Sequence, residues 1–133
     1  MTRTVQQFVI FGKQTMDDLF ETTCPCPIAD IADGPSLSYS QAELTLRFVD
    51  YTETPRKVVF DDVVFFTLSS IEADSRELWD DRTYIVKNSS LIQRLAETED
   101  VESPEDYAHR IICFNKTGEY LEIVYRKMNM DAA

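Results

Sequence analysis

The chain holds three cysteines and a single histidine, the four soft donors that a tetrahedral zinc site uses. Cys24 and Cys26 sit in "TTCPCPIAD", each followed by proline, and His109 and Cys113 sit in "AHRIICF". Zinc binds thiolate sulfur at about 2.3 Å and imidazole nitrogen at about 2.0 to 2.1 Å, so the donors must converge. His109 and Cys113 fall at equal parity on a strand-like segment, on one face but roughly 13 Å apart along it. A single ion does not span that gap, and Cys-x-Cys is tighter than the usual zinc knuckle. The combination left is Cys24 and Cys26 with Cys113 or His109, a small metal- or ligand-binding module, and it forms the alternative reading. The leading one treats the thiols as small buried hydrophobes and His109 as a satisfied core side chain. No basic side chain adjoins Cys24 or Cys26 to lower a thiol pKa, and no cofactor is expected.

Other catalytic patterns are thin. No G-x-S-x-G, H-E-x-x-H, G-x-G-x-x-G or Walker-type loop occurs, and those are the spacings that build nucleophile elbows, zinc helices and phosphate cradles. The pairs Asp17-Asp18, Asp61-Asp62 and Asp80-Asp81 are adjacent in sequence. On a strand, neighbours point to opposite faces, so such a pair does not converge on one substrate as acid and base. The expectation is a protein that is not an enzyme.

Charge is the stronger signal. With 24 acidic and 13 basic residues the formal charge is −11. That field opposes nucleic acid and anionic membrane and favours a basic protein partner. The acids concentrate in "AETEDVESPEDY", where no lysine or arginine is interspersed. Glu97, Glu99, Asp100, Glu102 and Asp106 are the candidate partner-binding residues. Trp79, in "RELWDD", is the candidate aromatic anchor, since buried tryptophans rimmed by polar groups dominate many interfaces.

These residues need elements to hold them. "TVQQFVIFG" reads as a strand. "KQTMDDLFETT" reads as a short helix, with Thr15 three residues ahead of Asp18 as in a capping box and Met16, Leu19 and Phe20 on one side. The prolines of "CPCP" stop that helix, and Gly34-Pro35 marks a turn. "AELTLRFVDY" alternates as a half-buried strand with Leu44, Leu46 and Phe48 inward. "RKVVFDDVVFFTL" is one long bulged strand or two strands turning at Asp61-Asp62. "RTYIVK" is a strand, and "NSSLIQRLAE" a helix capped by Ser90 with Gln93. "SPED" is a brief helical turn with Ser103 as its N-cap and proline in its first position. "YAHRIICF" and "EYLEIVYRK" form a hairpin across "NKTG". "MNMDAA" is read as a loose tail, residues 128–133.

At 133 residues the chain fits one domain, 1–133, with enough apolar residues for one core. The expected fold is α+β: a curved antiparallel sheet, two or three short helices on one face, and a C-terminal β-hairpin. No targeting or membrane-spanning stretch stands out, and the odd cysteine count suits reduced thiols, so a cytoplasmic location is expected.

Three stretches, "RKVVFDDVVFF", "TYIVKNSSLIQRL" and "HRIICFNKTGEYLEIVYRK", resemble in order a group of small uncharacterised bacterial proteins. Some of those are encoded beside toxin genes and taken to be immunity proteins. Phe60, Val63 and Phe66 fit the first motif, Asn88-Ser89 the second, and His109, Ile111, Leu121, Glu122 and Ile123 the third. The resemblance implies a cytosolic bacterial α+β protein and suggests toxin neutralisation, and it carries no catalytic residue with it. The reading is therefore a non-enzymatic acidic protein-binding domain, with a homodimer through edge strands as a further expectation.

Overall fold

The computed structural model describes residues 17–22, 33–50, 52–74, 76, 78, 82–114 and 117–132. Along the described residues run β1 (Asp18–Thr22), β2 (Asp33–Ser40), β3 (Glu43–Val49), β4 (Pro55–Asp61), β5 (Phe65–Ser70) and β6 (Thr83–Lys87). Then come α1 (Ser90–Glu97), a 3-10 turn at Pro104–Asp106, β7 (Ala108–Phe114), β8 (Glu119–Tyr125) and β9 (Lys127–Ala132). They form two antiparallel sheets, a four-stranded one in the order β9-β4-β3-β2 and a five-stranded one in the order β1-β6-β7-β8-β5. The expectation of an α+β fold with two or three helices is overturned: the described chain is mostly antiparallel β, with one α-helix.

The core lies between the sheets. Leu44, Leu46, Phe48, Val58 and Phe60 from the smaller sheet meet Ile112, Phe114, Leu121, Ile123 and Tyr125 from the larger. The outer face of the larger sheet carries a second apolar cluster, Tyr84, Val86, Ile111, Cys113 and Tyr120, against which Ile71 and Leu78 pack. With both faces covered, β7 and β8 each show six consecutive buried residues. A central strand of that kind reads as a continuous apolar run rather than an alternation.

Two neighbouring chain paths pass from one sheet into the other. β4 leads into β5 through Asp62, whose φ is +56°, and β8 leads into β9 through Arg126. At that corner Arg126 N–H donates to Asp61 O at 3.0 Å, and Val64 N–H donates to Val124 O at 3.0 Å. Strands that switch sheets at such bends make the corners of a sandwich. Of the two readings of "RKVVFDDVVFFTL", the second holds: two strands turn at Asp61-Asp62, and they lie in different sheets rather than pairing with each other.

Several local readings need correction. Asp18–Thr22 is strand and not helix, paired along its length with β6; five residues on a sheet edge are too few to show a period. Gly34-Pro35 lies inside β2, at a register irregularity between Asp33 and Ser36; proline tolerates an edge strand or a bulge because no ladder N–H is needed there. The C-terminal residues form β9, paired with β4 from Lys127 opposite Asp61 to Ala132 opposite Arg56. They are no loose tail. The helix cap is Ser89 rather than Ser90, its side chain accepting from Ile92 N–H at 3.1 Å. The turn at Pro104 is present, but Ser103 makes no side-chain cap. The β7–β8 hairpin stands as read, with Gly118 at φ +69°. The strand expected over Thr4–Gly12 and the "CPCP" exit lie outside the described residues.

Candidate functional site

The first feature with chemical content is a buried polar chain on the outer face of the larger sheet. It begins at Ser89, the last residue before α1. Ser89 Oγ accepts from Ile92 N–H and lies 2.7 Å from His109 Nδ1, to which its hydroxyl donates when the ring is neutral. His109 Nε2–H then donates to Glu122 Oε2 at 2.6 Å. This tautomer follows from the network rather than from observed hydrogens. Arg76 forks onto the same carboxylate, Nη1 to Oε2 at 2.9 Å and Nη2 to Oε1 at 3.0 Å. Its other edge grips Asp74, Nε to Oδ1 at 2.8 Å and Nη2 to Oδ2 at 2.7 Å. Tyr120 O–H closes the chain by donating to Asp74 Oδ2 at 2.6 Å.

The fold brings these groups together from far apart in sequence. β7 and β8 place His109 and Glu122 on the face that Arg76, Leu78 and the start of α1 cover. Asp17 and Asp18 reinforce the helix start: Asp17 Oδ1 accepts from Ser90 N–H at 2.7 Å, and Asp18 Oδ2 accepts from Asn88 Nδ2 at 2.8 Å. Carboxylates at a helix N-terminus match its exposed N–H groups and its dipole.

Burial alone would raise the Glu122 pKa, but the hydrogen bonds from His109 and Arg76 outweigh it and hold the group at about 2. The Arg76 guanidinium holds the Asp74 carboxyl well below the ordinary carboxylate range. In return the Asp74 carboxylate, with Glu122, pushes the Arg76 pKa up. Burial, with the hydrogen bond to Asp74, raises the Tyr120 phenol. Every shift favours the charge states drawn here.

A serine, a histidine and a carboxylate in line are the parts of a hydrolase triad. Two features of this chain favour a strut instead. Ser89 is 7 % exposed and serves as the cap of α1. Glu122 is already neutralised by the Arg76 fork, which weakens its support for a developing imidazolium. Beside the chain a cleft of about 370 Å³ opens, lined by Lys87, Asn88, Ser89, Gln93, Tyr107 and His109 among others.

His109 and Cys113 do share a face of β7, as their parity requires, and Cys113 is fully buried. Both nitrogens of His109 are taken by Ser89 and Glu122, so the ring has no lone pair aimed at a metal. Among the described residues no group of three or more His, Cys, Asp or Glu side chains is placed to hold an ion. Cys24 and Cys26 lie outside the described residues, as does Trp79.

The acidic segment forms the second feature. Glu97, Glu99, Asp100, Glu102 and Asp106 are all exposed. Glu99, Asp100, Glu102 and Asp106 line one concavity of about 380 Å³ together with Ser103, Tyr107 and Arg126. Sequence reading found no basic residue among these acids, and the fold supplies one from the β8–β9 corner. The Arg126 guanidinium stands 5.8 Å above the centre of the Tyr107 ring and 3.9 Å from Asp62 Oδ2. Glu99 occupies a left-handed backbone conformation, φ +65°, just past the C-cap Thr98 of α1. Glycine is the usual residue at such a position.

No family model, curated protein or solved structure matches the chain. Among the described residues no helix is long and apolar enough to cross a membrane.

Proposed function

We propose that the chain is a non-enzymatic binding domain that receives basic side chains of a partner protein in the acidic concavity beyond α1. The observation that carries this reading is the convergence of four carboxylates on one hollow that already houses a guanidinium over an aromatic face. One arginine leaves most of that negative charge uncompensated, and an incoming arginine or lysine would find the same carboxylates and the rim of Tyr107. Glu97 would widen the field from the last turn of the helix. The finer reading, a cytoplasmic immunity-type protein whose basic partner is a toxin or effector, rests on the resemblance of its strand and hairpin motifs together with this surface.

Charge reversal at Glu99, Glu102 and Asp106 to lysine is expected to weaken binding of a hexa-arginine peptide roughly tenfold or more at low salt. The measurement is a titration by calorimetry at two ionic strengths, because screening should narrow the gap as salt rises. A control reverses the exposed acids Glu43, Glu53 and Glu72. Equal loss in both variants would reduce the effect to net charge and sink the site.

A further inference from the structure

Of the four strands that bound the two sheets, three carry devices that resist edge pairing. β1 has Asp18 and Glu21, β2 has Pro35 and an irregular register, and β9 has Lys127. Charges, proline and bulges are the usual means by which a sheet edge is kept from pairing with another chain. β5 has none of them. Its sequence is Phe65-Phe66-Thr67-Leu68-Ser69-Ser70, without charge or proline. Among the described residues it pairs only with β8.

The orientation of β5 follows from its neighbour. Ile71 N–H donates to Gly118 O at 2.9 Å, and the register with β8 runs without a shift from Phe65 to Ser70. Antiparallel alternation then turns the backbone groups of Phe66, Leu68 and Ser70 outward, away from β8. The same strand exposes apolar side chains: Phe66 is 36 % and Leu68 39 % exposed. Tyr39, on the edge strand of the other sheet, is 49 % exposed and stacks against Phe66 with ring centroids 4.9 Å apart. An apolar strip therefore runs along an edge whose hydrogen-bonding groups face outward.

We infer that β5 pairs with β5 of a second copy of this chain, antiparallel about a two-fold axis at Thr67, joining two five-stranded sheets into one. Two facts select a second copy as the occupant. Under that axis Phe66 falls opposite Leu68 of the partner, so apolar meets apolar and the outward backbone groups of Phe66 and Leu68 meet each other in hydrogen-bonded pairs. A chain of charge −11 repels its own copy over most of its surface, and this uncharged edge is where two copies approach at least cost. A basic partner gains nothing from an edge without carboxylates. The pairing is isologous, so it closes at a dimer and does not propagate.

Sedimentation equilibrium of the full chain over a concentration series tests this. The mass should rise from one chain towards two. Leu68→Lys, which sets a cation against the partner's Phe66, should hold the protein at one chain across the same series. Ser70→Lys, at an exposed position of the same edge, is the second variant in case the first disturbs the fold, and should weaken association several-fold. Circular dichroism checks that each variant is folded. A wild-type mass of one chain throughout would overturn the proposal. So would a dimer that both lysine variants leave intact.

Discussion

Glu122→Ala should lower stability by about 3 kcal/mol, because it leaves Arg76 and His109 without the carboxylate that both of them bond. Arg76 is a quarter exposed and can recruit water in part, which places the cost at the lower end for a broken buried ion pair. For a chain of this length the loss corresponds to a fall of about 10 °C in Tm, read by thermal or urea unfolding. Glu122→Gln keeps an acceptor for His109 Nε2–H but no charge for Arg76, and should fall between wild type and alanine. The pH dependence has a definite sign. Glu122 has its folded pKa depressed to about 2 from an ordinary 4.5, so its contribution is fully present above about 4.5. It is lost as pH falls through that value towards 2. Asp74, also depressed by Arg76, adds loss in the same direction at still lower pH. Unfolding free energy measured from pH 6 down to 2 should therefore drop less steeply in Glu122→Gln than in wild type. Parallel curves would mean that Glu122 is not the group held down by the network.

Phe60→Ala should be at least as damaging, at about 3 to 5 kcal/mol. Phe60 is fully buried on β4, between Leu44 of β3 and Met128 of β9 in the register. Its ring meets Tyr125 edge-on, with centroids 4.9 Å apart and planes at 66°. That contact joins the two sheets near the corner where the chain crosses between them. Alanine leaves a void that neighbours on two sheets cannot close together, and the loss is a large fraction of the stability of a typical domain. Phe60→Leu should cost far less, since it fills most of the volume. Urea unfolding of both variants decides the matter, and a cost under about 1 kcal/mol for alanine would show that the sandwich core is not centred there.

What sequence alone reveals here follows the strength of local signals. The β7–β8 hairpin was legible because two apolar runs flank a turn ending in glycine, and Gly118 does adopt the left-handed conformation. α1 was legible from its serine-led start, although the cap moved by one residue to Ser89. The β2–β3 hairpin was not. Its turn residues, Gln41 and Ala42, have φ values of +52° and +65°, the primed-turn geometry that Asn-Gly normally announces. β1 was misread because Leu19 and Phe20 fit a helical face as well as a short strand, and pairing with β6 decides between them. Tertiary context outweighs such weak propensities. β9 was missed because "MNMDAA" carries little strand signal of its own and forms its ladder on β4.

The buried chain was hidden for another reason. Arg76 and Glu122 lie 46 residues apart, and nothing local links them. Yet a trace of the network is visible in retrospect. Glu122 and His109 are the polar interruptions of two strands otherwise apolar on their shared face, and a charge on a strand covered on both sides requires a partner. The acidic segment was legible as composition, while its shape was not. Its gathering into one hollow, and the arrival of Arg126 beside Tyr107, depend on the corner between β8 and β9.

The central claim, that this hollow is the binding surface, is tested most directly by nuclear magnetic resonance. Amide shifts of the labelled protein would be followed as a hexa-arginine peptide is added. The account predicts saturable shifts confined to residues 97–107 and Arg126, with little change on β5 or around Glu43, Glu53 and Glu72. Shifts spread evenly over all exposed acids, or centred elsewhere, would contradict it.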